Sequence, residues 1–171
     1  MNQKLNRMQF LRGHFNDQPV VRPPWAVEES RFIDLCERCD ACIKICHVNI
    51  IRRGAGGYPE VDFSHSGCDF CRACTQACAS GALVRNSNDA WSIKAHFKSN
   101  CLAQRGVICR SCSDVCEHRA TRFRMQIGGS SSIEFNAAAC TGCGECVSLC
   151  PVQAIDVGHA DMSNQKGERD V

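Results

Sequence analysis

The chain has 171 residues, with 20 Lys and Arg against 18 Asp and Glu, a formal net charge of +2 and 6% aromatic residues. This nearly neutral balance gives no support to a nucleic-acid partner, and no nucleic-acid-binding motif is present. No apolar stretch approaches the roughly 18 residues that a bilayer-spanning helix needs, so no transmembrane segment is predicted.

The first 27 residues are predicted to be an N-terminal extension. Apolar residues recur there at helical spacing, which is typical of a short amphipathic helix but also fits a frayed terminus, and both interpretations stay open. These residues are Leu5, Met8, Leu11 and Phe15. The stretch Arg22-Pro23-Pro24-Trp25 is predicted to be extended, because each proline restricts the residue before it. Trp25 is predicted either to anchor this segment or to contact a partner.

Sixteen cysteines fall into four groups of four. The groups are Cys36, Cys39, Cys42 and Cys46; Cys68, Cys71, Cys74 and Cys78; Cys101, Cys109, Cys112 and Cys116; and Cys140, Cys143, Cys146 and Cys150. Groups one, two and four have the spacing C-x2-C-x2-C-x3-C, which binds 4Fe-4S clusters in bacterial ferredoxins. In group three the first cysteine is displaced upstream, which gives C-x7-C-x2-C-x3-C. Four 4Fe-4S clusters are therefore predicted, and if one is labile or absent we expect it to be the one that uses Cys101.

Two other uses of clustered cysteines fit this pattern less well. A disulfide scaffold is typical of short secreted chains, but residues 1–35 contain no apolar signal core, and cysteines so close in one loop pair poorly. Zinc sites usually combine C-x2-C pairs from two separate knuckles, whereas here three cysteines crowd one loop. Iron–sulfur clusters and free thiols both indicate a reducing compartment, so a cytoplasmic location is predicted.

An internal repeat of about 32 residues runs through the four groups. Val61-Asp62-Phe63 precedes group two by the same distance as Ile133-Glu134-Phe135 precedes group four, and both triplets alternate like short strands. A short apolar stretch also follows each fourth cysteine: Ile50-Ile51, Ala82-Leu83-Val84, Thr121-Arg122-Phe123 and Ala154-Ile155-Asp156-Val157. The repeated unit is predicted to be strand, cluster loop, short helix, strand.

Turn residues predict how these units pair. Residues 54–59 and 128–132 are glycine-rich and look like hairpin connections, and residues 86–89 form a polar break between the second unit and the third. We predict an α+β fold of two tandem bacterial-ferredoxin-like lobes built around 4Fe-4S clusters, with short strands and short helices. The predicted lobes are residues 28–85 and 91–158, with a linker at 86–90 and a disordered tail at 159–171.

The fourth cysteine of such a run ligates the neighbouring cluster in two-cluster ferredoxins. Sequential pairing of the groups then predicts these ligand sets: Cys36, Cys39, Cys42 and Cys78; Cys68, Cys71, Cys74 and Cys46; Cys101, Cys109, Cys112 and Cys150; Cys140, Cys143, Cys146 and Cys116. A nested order, in which group one pairs with four and two with three, stays open. The hairpin signals favour the sequential order.

Few other residues suggest chemistry. His47 and His118 follow fourth cysteines, but sixteen cysteines already fill four sites, so both are predicted to be surface histidines. Trp91 is predicted to belong to the core. Unit three carries five arginines that predict a solvated basic face or a surface for an acidic partner: Arg105, Arg110, Arg119, Arg122 and Arg124. No catalytic arrangement stands out, so no catalytic residue and no enzyme activity are predicted.

The clusters are expected to change both charge and stability. Each oxidised 4Fe-4S cluster with four thiolates carries about −2, so four would bring the formal charge from +2 to about −6. Since few aromatic residues are available for a core, much of the stability should come from the clusters. The apoprotein is therefore predicted to be largely unfolded.

Several stretches together resemble the NapF family, the ferredoxin-type proteins of the periplasmic nitrate reductase system. They are residues 22–25, 36–46, 53–59 and 101–116, and the resemblance covers about residues 20–158. It implies a cytoplasmic protein that binds the molybdenum catalytic subunit NapA before export and assists its maturation, by loading or reducing its iron–sulfur cluster. Only one fourth cysteine is followed by proline, at Pro151, which affects the expected local turn and not the ligation.

Two other functions stay open. A general electron-transfer ferredoxin would pass electrons between a cytoplasmic or membrane donor and an acceptor, and it leaves room for peripheral membrane contact. A structural interaction module would use its clusters only to hold the fold. A carrier needs neighbouring clusters close together, whereas a cluster donor needs a labile cluster and a surface that prefers the immature target.

Overall fold

The computed structural model describes residues 20–84, 90–125 and 131–159. These ranges contain five α-helices of four to seven residues and six strands of three to five residues, interleaved along the chain. The predicted mixture of short helices and short strands is confirmed. The predictions for residues 5–15, 86–89 and 160–171 lie outside the described ranges. Among the residues that the structure describes, no helix has the length and apolar character needed to cross a membrane.

Contacts between Cα atoms divide the chain into two units, whose bounds differ from those of the predicted lobes. Among the described residues, the first comprises 20–62 and 72–84, and the second comprises 63–71, 90–125 and 131–159. Helices α1 (Glu29–Leu35), α2 (Ala41–Ile45) and α3 (Ala73–Gln76) belong to the first unit, together with strands β1 (Ile51–Arg53) and β2 (Pro59–Val61). The second unit contains β3 (Lys94–Phe97), α4 (Ser111–Asp114), β4 (Thr121–Met125), β5 (Ser131–Phe135), α5 (Glu145–Ser148) and β6 (Ile155–Gly158).

Both predicted hairpins have paired strands. In the first unit β1 pairs antiparallel with β2, so that Ile51 lies opposite Val61 and Arg53 opposite Pro59. Their connection is a 3-10 turn at Ala55–Gly57, where Gly56 and Gly57 have φ angles of +66° and +79°. Glycine adopts these left-handed angles without steric cost, which explains the glycine-rich sequence of the turn.

In the second unit β4 pairs antiparallel with β5, from Thr121 opposite Phe135 to Met125 opposite Ser131. A second pair, β3 with β6, places Phe97 opposite Ile155. Strand β6 was predicted, but β3 was not. Its sequence, Lys94-Ala95-His96-Phe97, has only two apolar residues, and it pairs with a strand far along the chain.

The chain turns at Pro24 and Trp25, so the extended conformation predicted for Arg22-Pro23-Pro24-Trp25 is wrong at the end of this segment. The Ala26 N–H donates to the Pro23 carbonyl at 3.2 Å, and Trp25 has a φ angle of +60°. Each proline restricts the residue before it, which leaves Trp25, the residue after both, free to turn. Trp25 is 6% exposed and its carbonyl accepts from the Val84 N–H at 2.9 Å, so it anchors this segment within the first unit.

The predicted strand at Ala82-Leu83-Val84 is an isolated bridge between Leu83 and Ala26 rather than a strand. The Val27 N–H also donates to the Ala82 carbonyl, at 3.1 Å. The last residues of the predicted N-terminal extension therefore belong to the first unit. Its buried residues include Trp25, Phe32, Ile50 and Leu83.

Residues 63–71 group with the second unit, whereas the predicted first lobe ran through them. The Cys68 N–H donates to the Cys143 carbonyl at 2.7 Å, and the Gly67 N–H donates to Glu145 Oε2 at 2.8 Å. The Phe63 ring packs edge-on against Trp91, with ring centroids 5.9 Å apart. These contacts join residues remote in the sequence, which no local pattern reveals.

Candidate metal centres

Cysteine groups one, two and four share one backbone geometry. In each, the residue before the second cysteine and the residue after it both have left-handed φ angles. These residues are Arg38 and Asp40, Phe70 and Arg72, and Gly142 and Gly144, with φ angles between 56° and 80°. Two left-handed residues bend the chain sharply twice within one run. A bend of this kind costs about 1–2 kcal/mol for each non-glycine residue, so a strong local constraint has to hold it.

The predicted helix after each cluster loop is present in all four groups. The third cysteine of each group lies within it: Cys42 in α2, Cys74 in α3, Cys112 in α4 and Cys146 in α5. The third residue after each fourth cysteine is also left-handed in every group: Asn49, Gly81, Arg119 and Gln153. The repeat in the sequence is therefore a repeat in the backbone.

Group three differs from the others around its displaced cysteine. Arg110, which follows Cys109, has a φ angle of −120°, so the paired left-handed bends are absent here. A compact loop leads instead from Cys101 to Cys109. Within it the Arg105 and Val107 N–H groups both donate to the Leu102 carbonyl, at 3.1 and 2.9 Å.

A cavity in the second unit brings together the third predicted ligand set. Its lining includes Cys101, Cys109, Cys112 and Cys150, together with apolar side chains such as Ile133 and Ile155. Burial raises the pKa of the Cys112 thiol to about 11. Nearby cysteines raise it further, and these are Cys101, Cys109 and Cys150. This convergence supports the predicted set, which includes the displaced Cys101 and the last cysteine of group four.

The fourth predicted ligand set also converges in the second unit. Burial raises the pKa of the Cys146 thiol to about 12. The cysteines that add to this shift are Cys143, Cys140, Cys112 and Cys116. Cys143, Cys140 and Cys116 complete the predicted set, whereas Cys112 belongs to the third. The two sets are therefore neighbours.

In the first unit burial raises the pKa of the Cys42 thiol to about 11. Its neighbouring cysteines are Cys36, Cys74 and Cys78. Cys36 and Cys78 are the partners that sequential pairing predicts for Cys42, and Cys39 is exposed. Nested pairing would instead have brought Cys42 to group four, so the arrangement favours the sequential order. Of the remaining set, Cys46 and Cys74 lie in the first unit and Cys68 and Cys71 in the second, and this set stays a prediction.

The cysteines suit iron–sulfur clusters rather than structural disulfides. All sixteen lie in the described ranges, and none of them is joined to another by a disulfide bond. Burial and mutual repulsion raise the thiol pKa values, so several thiolates can share one place only when a cationic centre binds them. Backbone N–H groups add stabilisation, since Ala120 N donates to Cys116 Sγ at 3.2 Å and Ala154 N to Cys150 Sγ at 3.1 Å. A bound 4Fe-4S cluster supplies one-electron chemistry, and such hydrogen bonds tune its potential.

The other residues noted in the sequence lie outside these cysteine sets. His47 and His118 are exposed, as predicted. Trp91 is half-buried, and its Nε1–H donates to the Thr141 carbonyl at 3.0 Å. All five arginines of the third sequence repeat, the one that begins at Cys101, are exposed. Glu145 was not singled out from the sequence, although it holds the backbone next to Cys68 through Gly67; an acidic residue in a short helix carries no local sign of that role.

Comparisons with known proteins bear on the cofactor. The chain matches the family model of the 4Fe-4S dicluster domain over residues 107–154, which takes in seven cysteines and leaves out Cys101. This match establishes 4Fe-4S clusters as the cofactor, and their number stays a prediction.

Comparison over the whole chain finds ferredoxin-type proteins. NapF of Escherichia coli strain K12 is 45% identical over 135 residues, covering 79% of this chain and 82% of that protein. NapF of Haemophilus influenzae is 40% identical over 164 residues, covering 90% and 93%. The ferredoxin-type protein NapG of Escherichia coli strain K12 is more distant, at 26% identity over 169 residues, covering 86% and 73%.

Proposed function

The chain belongs to the NapF family of ferredoxin-type proteins, and on that premise we propose that it is an iron–sulfur accessory protein of the nitrate reductase system. Its partner in this proposal is the catalytic subunit NapA, which it binds in the cytoplasm before export. It assists NapA maturation by loading or reducing the NapA iron–sulfur cluster. It needs no catalytic residue of its own for this role.

The observation that carries the proposal is the way Cys101 reaches the cavity of the third ligand set. A maturation factor that loads a cluster has to hold one that it can release. Cys101 reaches the cavity on a loop of its own, outside the run that carries Cys109 and Cys112. Movement of that loop would withdraw Cys101 and leave in place α4 and the run that carries Cys109 and Cys112. This construction supports a donor role for the third site.

A second candidate function, general electron transfer, is favoured by a different observation. Cys112 of the third set is among the groups that raise the pKa of Cys146 in the fourth. Neighbouring ligand sets would hold two clusters side by side, as a relay of electrons requires. This arrangement serves a carrier, and it also serves a maturation factor that reduces its target.

The proposal is tested by mixing anaerobically reconstituted protein with cluster-free NapA. The protein carries clusters labelled with 57Fe, and the readouts are nitrate reductase activity and the 57Fe content of NapA after separation. We expect NapA activity to recover only when this protein carries clusters. Label in NapA together with recovered activity indicates loading. Reduction is tested separately: this protein is first reduced with dithionite, freed of excess dithionite and mixed with NapA that already holds an oxidised cluster, and electron paramagnetic resonance follows the electron into NapA.

The matched control is the same protein with Cys101 replaced by serine. Loading through the third site predicts that this variant transfers less label to cluster-free NapA. Reduction by the other clusters predicts that the variant reduces cluster-containing NapA about as well as the unaltered protein does. Equal binding to mature and cluster-free NapA with no gain in activity would rule out maturation and leave the general carrier.

A further inference from the structure

We propose that the second unit carries a docking surface for an acidic surface of a partner protein, next to the third predicted cluster. It consists of Val107, Ile108 and Met125 with Arg105 and Arg110, and we name it the arginine–apolar patch. The inference rests on the proposed function, in which the partner is cluster-free NapA. It adds which surface of this chain meets that partner.

The apolar part of the patch is unusually exposed. Val107 is 49% exposed, Ile108 62% and Met125 68%. Among the described residues these make up half of the large hydrophobic side chains that are exposed, the others being Ile45, Val84 and Leu149. Apolar residues scattered singly over a surface need no explanation, but a group of them marks an interaction site.

Hydrogen bonds hold the members of the patch together. Ser131 Oγ donates to the Val107 carbonyl at 3.1 Å, and Ser131 lies opposite Met125 in the β4–β5 ladder. The tip of the loop is thus fixed to the end of the hairpin that carries Met125. Arg105 belongs to the same loop, because its N–H donates to the Leu102 carbonyl that also accepts from Val107.

The charge of the patch indicates the chemistry of its partner. The Arg110 guanidinium lies 5.5 Å from the centre of the Phe123 ring and 3.2 Å from Asp114 Oδ1, which fixes its position beside β4. Arg105 is exposed and forms no ion pair with any residue in the described ranges. The holoprotein is predicted to be net negative, so cationic groups around an apolar centre stand out from the rest of the surface. They complement an acidic surface with an apolar centre.

The position of the patch connects it to the predicted clusters. Ile108 immediately precedes Cys109, and Leu102 and Cys109 both line the cavity of the third ligand set. The loop that presents the patch is therefore the loop that brings Cys101 to that cavity. A partner seated on the patch would meet the protein at the site whose ligand is displaced.

The test measures binding of cluster-free NapA to the cluster-loaded protein and to Ile108→Ser combined with Met125→Ser. We expect the double variant to weaken binding at least about tenfold. The matched control is Ile45→Ser, because Ile45 is 47% exposed and directly precedes Cys46, as Ile108 precedes Cys109. The control should bind within about twofold of the unaltered protein.

A third variant, Arg105→Glu, tests the contribution of positive charge to binding. Because Arg105 is exposed, this substitution should leave the fold intact. It should weaken binding more at low salt than at high salt, since added salt screens exposed charges. Iron content and visible absorption show whether each variant keeps its clusters. If the unaltered protein binds NapA and the patch variants bind equally well, the patch is refuted while the proposed function stands. If the unaltered protein does not bind NapA, both fail.

Discussion

Cys101 lies beside Cys112 in the second unit, close enough that its thiolate raises the pKa of the Cys112 thiol. Cys112 lies within the residues that match the dicluster domain, and Cys101 lies outside them. The displaced cysteine is thus brought back to the site by the loop that ends at Cys109. The four cysteines predicted for the third set therefore line one cavity, and Cys101 differs from the other three in reaching it on a separate loop.

Replacing Cys101 by serine should make the third cluster labile without disturbing the other three. We expect the variant to lose about four iron atoms per chain on brief exposure to air or chelator. Replacing Cys112 should be more severe, since Cys112 belongs to a core cluster against which Cys140, Cys146 and Cys150 pack. Iron and sulfide analysis with electron paramagnetic resonance provides the measurement. Unchanged iron content in the Cys101 variant after that exposure would contradict the assignment.

Gly144→Ala should destabilise the second unit. Gly144 has a φ angle of +80°, and a β-carbon there would overlap the Phe63 ring. The left-handed conformation alone costs about 1–2 kcal/mol for a residue with a β-carbon, and the overlap adds to it. The measurement is the rate of cluster loss in guanidinium chloride under anaerobic conditions.

Gly106→Ala is the matched control for that substitution. Gly106 also has a φ angle of +80°, but a β-carbon there would meet nothing within 4 Å. It should therefore show the backbone cost alone, and the difference between the two variants reports the overlap with Phe63. Equal rates in both variants would mean that Phe63 moves aside freely.

Arg22→Ala should weaken the first unit. The Arg22 guanidinium lies 5.0 Å from the centre of the Phe32 ring and 5.6 Å from that of Tyr58. It also donates to Glu29 at 2.6 and 2.9 Å, and its side chain is only 8% exposed. Loss of these contacts should cost about 1–3 kcal/mol.

Arg52→Ala serves as the comparison for Arg22. Its side chain is 60% exposed and its partners are Glu60 and Asp62. Exposed ion pairs contribute little, so the change should stay below about 1 kcal/mol. The measurement is the resistance of both variants to guanidinium chloride, followed through iron release. A larger effect for Arg52 than for Arg22 would show that ring stacking contributes little here.

Removal of the clusters should unfold the protein. The described helices are four to seven residues long and the strands pair only in twos, and such elements are marginal on their own in water. The free energy of cluster binding therefore has to supply much of the folding free energy. Far-ultraviolet circular dichroism after oxidation and chelation measures this, with re-reconstituted protein as the control. A cooperative thermal transition in the apoprotein would count against it.

Local predictions succeeded where one short stretch contains all the relevant residues. The hairpin at β1–β2 was predicted because its glycines and flanking strands are adjacent in the sequence, and the helix after each cluster loop follows from a repeated spacing. Strand β3 was missed because Lys94-Ala95-His96-Phe97 pairs with a partner beyond the last cysteine group. The turn at Trp25 was mispredicted because proline constrains only the residue before it.

The chemistry expected of the sites could be predicted from the sequence alone: sixteen cysteines fall in four groups, at a spacing that allows three ligands in one loop and a fourth about one helical turn later. Three features emerged only from the folded chain: the loop that carries Cys101 to the cavity, the link of residues 63–71 to the second unit through Gly67 and Glu145, and the hydrogen bond from Ser131, opposite Met125, to the Val107 carbonyl. Spacing limits what neighbouring residues can do. Contacts between distant segments depend instead on which surfaces pack together, and that is settled only when the whole unit folds.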